Sequence, residues 1–171
     1  MARNLEFKAK VNDPSSLEKV FKDHGAVFID DLRQTDTYFS VQNGRLKFRE
    51  ILGKGSELIF YKRDETSTVG MCSDYDILPV SDLSLKDFLA NSFGVKTIVE
   101  KERKLLKLEN ARIHIDYVIG LGDFLEFEVV SAGDEINDSL LLSKLRKSAA
   151  PFVLREINCS YSDLMISEPA K

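Results

Sequence analysis

The sequence predicts an α+β fold in which many antiparallel strands close, or nearly close, into a barrel with a few helices packed outside it. Three observations lead there. The first stretch, Asn4–Val11, alternates strictly: Leu5, Phe7, Ala9 and Val11 share one face, and Asn4, Glu6, Lys8 and Lys10 share the other. Later stretches repeat that alternation with the charge segregated by sign, as cations in Arg45-Leu46-Lys47-Phe48-Arg49 and as carboxylates in Phe124-Leu125-Glu126-Phe127-Glu128. Helical periodicity is confined to a few short segments. A solvated sheet face usually mixes in Thr, Ser and Gln. Rows of a single charge sign suggest instead strands curled so that their charged faces look inward on one another, around a highly charged ligand.

Taken in order, the first strand gives way at Asp13-Pro14, an N-cap followed by proline at the first helical position. Leu17, Val20 and Phe21 recur at helical spacing and Gly25 stops the helix, whose apolar face suits the apolar face of the first strand. Strands are expected at Val27–Leu32, Gln34–Val41, Arg45–Ile51 and Glu57–Arg63, with Asn43-Gly44 as a hairpin turn and Gly53–Ser56 as the next reversal. A polar loop at Asp64–Gly70 precedes a strand at Met71–Pro79. Ser84–Phe93, closed by Gly94, reads as a helix with Leu85, Phe88 and Leu89 on its buried face. Strands follow at Lys96–Leu106, Ala111–Ile119 and Asp123–Val130, turning at Glu109-Asn110 and Gly120-Leu121-Gly122. Asn137–Ser148 is helical up to Pro151, Tyr161–Met165 is a short docked helical turn, and 166–171 is a frayed tail.

The 171 residues suit one domain over 1–171, with 43% hydrophobic and 30% charged residues as in a globular protein. A net charge of −4 draws the molecule neither to a nucleic acid polymer nor to an anionic membrane, so its many cations have to be judged by where they lie. No apolar run approaches the roughly 20 residues of a membrane span, and the first residues lead straight into a strand without a signal peptide. The expectation is a cytoplasmic protein, a monomer or homodimer, with Cys72 and Cys159 reduced.

Strand parity sorts the charges. The cationic set is Lys8, Lys10, Arg45, Lys47, Arg49, Lys101, Arg103 and Arg112; the acidic set is Glu6, Asp36, Asp116, Glu126 and Glu128. If both sets face one cavity, paired carboxylates can hold Mg²⁺ or Mn²⁺ and the Lys/Arg rows can clamp phosphate oxygens. So many buried cations are too costly to balance with protein carboxylates alone, whereas an oligophosphate and its metal would balance them. Taken singly, each piece has an ordinary reading. A basic strand is a solvated face, Glu126 and Glu128 are surface carboxylates, His114 is a packed or hydrogen-bonding residue, and Tyr38 and Phe39 are core or wall. Their joint occurrence favours the functional reading.

These residues also carry a resemblance. The sequence resembles the CYTH family, or triphosphate tunnel metalloenzymes, in its CyaB-like branch; the family includes class IV adenylyl cyclases, thiamine triphosphatases and inorganic triphosphatases. The family opens with Glu-x-Glu-x-Lys, and Asn4-Leu5-Glu6-Phe7-Lys8 stands in that place with Asn4 for the first Glu. Asp36–Phe39, Gly44–Arg49, Lys101–Arg103, Arg112–Asp116, Gly120–Glu128 and Tyr161–Leu164 match in turn. The resemblance implies an eight-stranded antiparallel tunnel, a single CYTH domain that binds a small-molecule triphosphate. It implies that Glu6, Asp116, Glu126 and Glu128 serve a divalent metal, and that Lys8, Lys47, Arg49, Arg103 and Arg112 hold phosphates. Leu58–Arg63 should supply one more cation; parity admits Lys62 or Arg63 inward and not both, and Lys62 is the expectation taken. A Tyr–Lys pair activates water in thiamine triphosphatases, which makes Tyr38 with Lys62 the catalytic candidates here.

The first functional expectation is metal-dependent hydrolysis of a triphosphate, most simply inorganic tripolyphosphate. The second is cyclisation of ATP to cyclic AMP with release of pyrophosphate, and a third is a non-catalytic triphosphate binder. No convincing adenine reader and no Trp platform for thiamine stand out, which favours the inorganic substrate. RNA 5′-triphosphate chemistry shares the fold, but the acidic balance offers an RNA chain no basic apron.

Overall fold

Alternation of apolar and charged residues lets one sheet roll up with its charged face inside. The computed structural model describes residues 2–64, 71–131 and 133–168. Its elements are β1 (Ala2–Val11), α1 (Pro14–Asp23), β2 (Val27–Phe39), β3 (Arg45–Ile51), β4 (Gly55–Asp64), β5 (Met71–Val80), α2 (Ser84–Phe93), β6 (Val95–Leu108), β7 (Ala111–Val118), β8 (Gly122–Val130), α3 (Glu135–Ala149), β9 (Val153–Glu156) and α4 (Tyr161–Ser167). Neighbouring strands run in the order β5-β4-β3-β2-β6-β7-β8-β1, and a further β1–β5 pairing closes the ring. Every pairing is antiparallel, so the first eight strands form a closed barrel. One edge of β1 is shared: Ala2–Glu6 pair with β5, and Ala9–Val11 with the short β9.

The largest apolar cluster lies outside the barrel wall. Leu5, Phe7, Ala9 and Val11 of β1 join Ile113, Leu125 and Phe127 beneath Leu17 and Phe21 of α1 and Leu141, Leu142 and Leu145 of α3. Phe7 stacks on Phe127 with centroids 5.6 Å apart, and Phe21 meets the same ring edge-on at 5.4 Å. A second cluster packs Leu89 of α2 on Phe39 and Phe48. A third sets Tyr161 and Leu164 of α4 against Tyr38, Val99, Val118 and Phe124. Side-chain caps begin α1 and α4: Asp13 accepts from Ser16 N at 3.1 Å, and Ser160 and Asp163 form a reciprocal capping box at α4. Among the described residues no helix is long and apolar enough to cross a membrane.

Several boundaries differ from the sequence expectation. Val27–Leu32 and Gln34–Val41 are one strand, because β6 pairs along the whole of Val27–Phe39 and carries the exposed Arg33 through. That strand ends at Phe39, so Ser40–Gly44 form a longer connection instead of a two-residue hairpin. Gly44 remains indispensable there: φ is 67°, and a Cβ would lie 2.8 Å from the Phe60 ring and 2.9 Å from the Tyr61 carbonyl oxygen. The chain after Pro151 forms β9, too short to show in periodicity. α4 runs on through Ile166 to Ser167, and Glu168 beyond it accepts from Arg155 at 3.0 Å, so the expected fraying does not start at 166. The loop expected at Asp64–Gly70 lies outside the described residues apart from Asp64, which ends β4, and so do 169–171 of the expected tail.

Phe127 is fully buried and supports both neighbouring rings. Phe127→Ala should lower the unfolding free energy by about 3–5 kcal/mol in denaturant titration. A loss below about 1 kcal/mol would show that the helices do not depend on this ring.

Candidate functional site

The barrel encloses a hollow of about 310 Å³. Strand parity decides what reaches it. β1 contributes Asn4, Glu6 and Lys8; β3 Lys47 and Arg49; β6 Lys101 and Arg103; β7 Arg112 and His114; β8 Glu126 and Glu128. Register then sets the contacts. Lys8 lies opposite Glu126 and bonds it at 2.9 Å; Arg112 lies opposite Glu128 and reaches it at 2.9 Å. His114 lies opposite Glu126, with Nδ1 3.3 Å from Oε2. Glu6 faces Glu128 directly, a like-charge pair that costs free energy unless a cation intervenes.

Two carboxylates are drawn back into the wall. Asp36 opposes Arg49 across β2–β3 and takes its guanidinium at 2.7 and 2.8 Å, with Lys101 at 2.8 Å and Lys47 at 3.1 Å on the same carboxylate. Asp116 opposes Arg103 across β7–β6 and takes it at 2.7 and 2.6 Å, while Tyr161 Oη donates to it at 2.7 Å. This geometry sets Asp116 apart from the other expected metal ligands, Glu6, Glu126 and Glu128. Its oxygens are committed to Arg103 and Tyr161, and it does not line the hollow.

Other expected residues are placed elsewhere. Lys62 points out of the barrel and is exposed, whereas Arg63 lines the hollow with its Nη2 3.7 Å from Glu6. The reason is that Leu58 packs outward beside Phe48 and Leu89, so the odd-numbered positions of β4 face inward. Tyr38 does line the hollow, on the other side of the wall from Lys62, so the two do not form a pair. Burial, with Tyr61 and Asp36 nearby, holds the Tyr38 phenol well above its ordinary value. Lys10 has inward parity but sits at the barrel end, where Nζ donates to the Leu121 carbonyl at 2.9 Å. Arg45, also at that end, bonds Asp163 of α4 at 2.7 Å. Neither lines the hollow.

Residues that sequence reasoning missed complete the lining. α4 lays Ser160 and Tyr161 against the end that holds Tyr38, with Lys8 Nζ 4.4 Å from the Tyr161 ring centre and Lys101 Nζ 5.7 Å. Leu32, Ile51, Ile77 and Leu105 line the hollow towards the opposite end, around Glu57. Both faces of β4 are apolar, so parity alone marks neither Glu57 nor Arg63 as inward; nothing in the sequence marks Tyr161 as a neighbour of Lys8.

Charge is unevenly satisfied. Burial opposes the ionised form of Glu126, but Lys8, His114 and Arg103 outweigh it and hold its carboxyl well below the usual range. Burial first, then the Glu128 and Glu126 carboxylates, push Glu6 up to about 7. His114, Glu126 and Glu128 offer ligand atoms within 4.8 Å of one another. Meanwhile Arg63 Nε and Nη1, Arg112 Nε, Asn4 Oδ1 and Ser73 Oγ are buried without a hydrogen-bond partner. Unpartnered guanidinium nitrogens fit an anion, and crowded carboxylates beside an imidazole fit a divalent cation.

A family model for the CYTH domain matches residues 2–151. The chain belongs to the CYTH family. Solved structures of the same fold include the PH1012 protein of Pyrococcus horikoshii OT3, with a TM-score of 0.80 at 22% identity over 94% of this chain and 98% of that one. A candidate adenylate cyclase from Vibrio parahaemolyticus superposes with a TM-score of 0.74 at 16% identity, covering 95% and 97%. The Hippeastrum protein HpAC1, a candidate adenylyl cyclase with a dominant triphosphatase activity, gives 0.65 at 13%, covering 98% and 96%. A search of curated proteins found no match.

Glu6 makes metal binding visible without an assay of activity. Between the ordinary glutamate value of 4.5 and about 7 the folded chain holds this proton more tightly than the unfolded one. Its contribution to stability therefore falls as pH rises through that window. A cation at the carboxylates relieves the penalty, so Mn²⁺ should raise the melting temperature more at about pH 8 than at about pH 5.5. An equal rise at both would remove Glu6 from the cation's surroundings.

Proposed function

We propose that this CYTH protein is a metal-dependent hydrolase of triphosphates, with inorganic tripolyphosphate as its simplest substrate. The observation that carries the reading is that one hollow has buried guanidinium nitrogens lacking an acceptor and a carboxylate–imidazole cluster lacking a cation. A triphosphate carrying its metal supplies both at once. Glu6, Glu126, Glu128 and His114 would hold Mg²⁺ or Mn²⁺, with Asn4 Oδ1 as a neutral oxygen beside them. A divalent metal held there would supply positive charge to offset the charge of the phosphate oxygens.

The chain's own residues do the rest. Arg49 and Arg103, fixed in orientation by Asp36 and Asp116, present guanidinium groups that cannot lose their protons to the phosphates. Arg63 and Arg112 complete the grip with the N–H groups they have free. Lys8 is held by Glu126 and stays charged against the pull of burial. Donors placed before the substrate arrives stabilise charge on the equatorial oxygens without reorganising. Ser160 and Tyr161 line the far end and limit how deeply a phosphate chain can enter.

A second reading, cyclisation of ATP, is favoured by the aliphatic lining Leu32, Ile51, Ile77 and Leu105, which suits an organic group on the triphosphate better than bulk water does. The description of HpAC1 as a candidate cyclase with dominant triphosphatase activity supports placing hydrolysis first. Purified protein with Mg²⁺ or Mn²⁺ should release phosphate from tripolyphosphate, and cyclic AMP formed from ATP faster than phosphate would reverse the order. Glu126→Gln should abolish metal-dependent turnover with an unchanged circular dichroism spectrum. Arg63→Ala should raise KM roughly ten- to a hundredfold, as expected for a lost charge-assisted hydrogen bond. Lys62→Ala should leave KM alone; the reverse pattern would place Lys62 inside.

A further inference from the structure

Asp36 is completely enclosed and does not line the hollow, yet three cations that do line it converge on its carboxylate. Arg49 binds it through Nε and Nη2, while Lys101 and Lys47 both donate to the single oxygen Oδ2, at 2.8 and 3.1 Å. One negative charge cannot neutralise three positive ones. The guanidinium keeps its proton, so the excess falls on the two ammonium groups.

Their other neighbours add little relief. Arg103 of β6 repels both. Lys47 lies over the rings of Tyr38 and Tyr61, and Lys101 over that of Tyr161. Asp116 feels Lys101 from β7 but is bonded to Arg103. Burial, then the neighbouring cations, lower Lys47 to about 8 and Lys101 to about 7 even with Asp36 in place. Burial alone would raise Asp36, but Arg49, Lys101 and Lys47 outweigh it and keep its carboxyl well below the usual range.

We propose that Asp36 is the positioning residue of the phosphate grip: it is the buried anion that keeps Lys47, Arg49 and Lys101 gathered and charged at the hollow until a triphosphate adds its own field. This rests on the triphosphate reading of the hollow. The ligand's charge then completes the neutralisation that Asp36 begins, and binding above neutral pH draws protons from solvent onto the two amines.

The test reads the lysines directly. In the ligand-free protein, ¹³Cε resonances of Lys47 and Lys101 give their titration midpoints. Asp36→Asn should lower both by about 1–3 pH units, the effect of an opposite charge at contact distance. Unchanged midpoints would overturn the proposal. If Asp36→Asn does not fold, Lys101→Met answers instead: the Lys47 midpoint should rise once it no longer shares Oδ2 with a second ammonium, and no movement would again overturn it. A purely structural Asp36 moves neither. Titration of wild type with tripolyphosphate near pH 8, in two buffers of different ionisation heat, should show proton uptake. Binding without uptake overturns the electrostatic role, while no binding at all overturns the triphosphate reading and leaves the midpoints to judge Asp36.

Discussion

The structure depends on one constraint: a barrel whose interior is charged has to find a counter-charge for every side chain it encloses. Cross-strand register meets that constraint twice in the same way. Asp36 faces Arg49 between β2 and β3, and Asp116 faces Arg103 between β7 and β6. Each pair is bidentate and enclosed, so removing either partner would strand an ion in a medium that solvates it poorly. These pairs add little to the net stability of folding, since both members lose water. What they provide is orientation: a guanidinium held by two bonds from behind points its remaining N–H groups into the hollow.

Stability comes from the other side of the wall. Phe7, Phe21 and Phe127, with Leu17, Ile113, Leu125 and Leu141, form an aliphatic and aromatic layer between barrel and helices. The same strand therefore divides its labour by parity. Its odd residues in β1 hold the fold while its even residues face the site. A one-residue slip in β1 would exchange the two sets, placing Glu6 and Lys8 under the helices. Register is thus determined by the apolar face and inherited by the charged one.

That division explains which features were legible in the sequence. Where one face is purely apolar and the other purely charged, as in Leu5–Val11 or Arg45–Arg49, parity places Lys8, Lys47 and Arg49 without ambiguity. It is ambiguous in Leu58-Ile59-Phe60-Tyr61, where both faces are apolar, because β4 packs under α2 outside and against the hollow inside. The direction of Lys62 and Arg63 hinges on that. Parity also says nothing about how far along the barrel a residue sits. Lys10 and Arg45 have the right facing but lie at the end, where a turn carbonyl and Asp163 capture them. Tyr161 reaches the hollow through a contact made 45 positions along the chain from Asp116, and no local pattern announces such a pairing.

The sheet order gives the hollow a polarity that no single strand has. β3, β2 and β6 are consecutive in the ring and bring Lys47, Arg49 and Lys101 around Asp36. β7, β8 and β1 are consecutive on the other arc and bring His114, Glu126, Glu128 and Glu6 together. Arg103 bridges the arcs on one side, bonded to both Asp116 and Glu126, and Arg63 approaches Glu6 on the other. A simple anion would satisfy the first arc and be repelled by the second, and a bare cation would meet the reverse. A ligand that is itself bipolar, such as an oligophosphate carrying a divalent ion, would relieve the excess charge of both arcs at once. The carboxylate that faces another carboxylate and the lysines that share one oxygen are then the same unfinished neutralisation, seen from opposite walls.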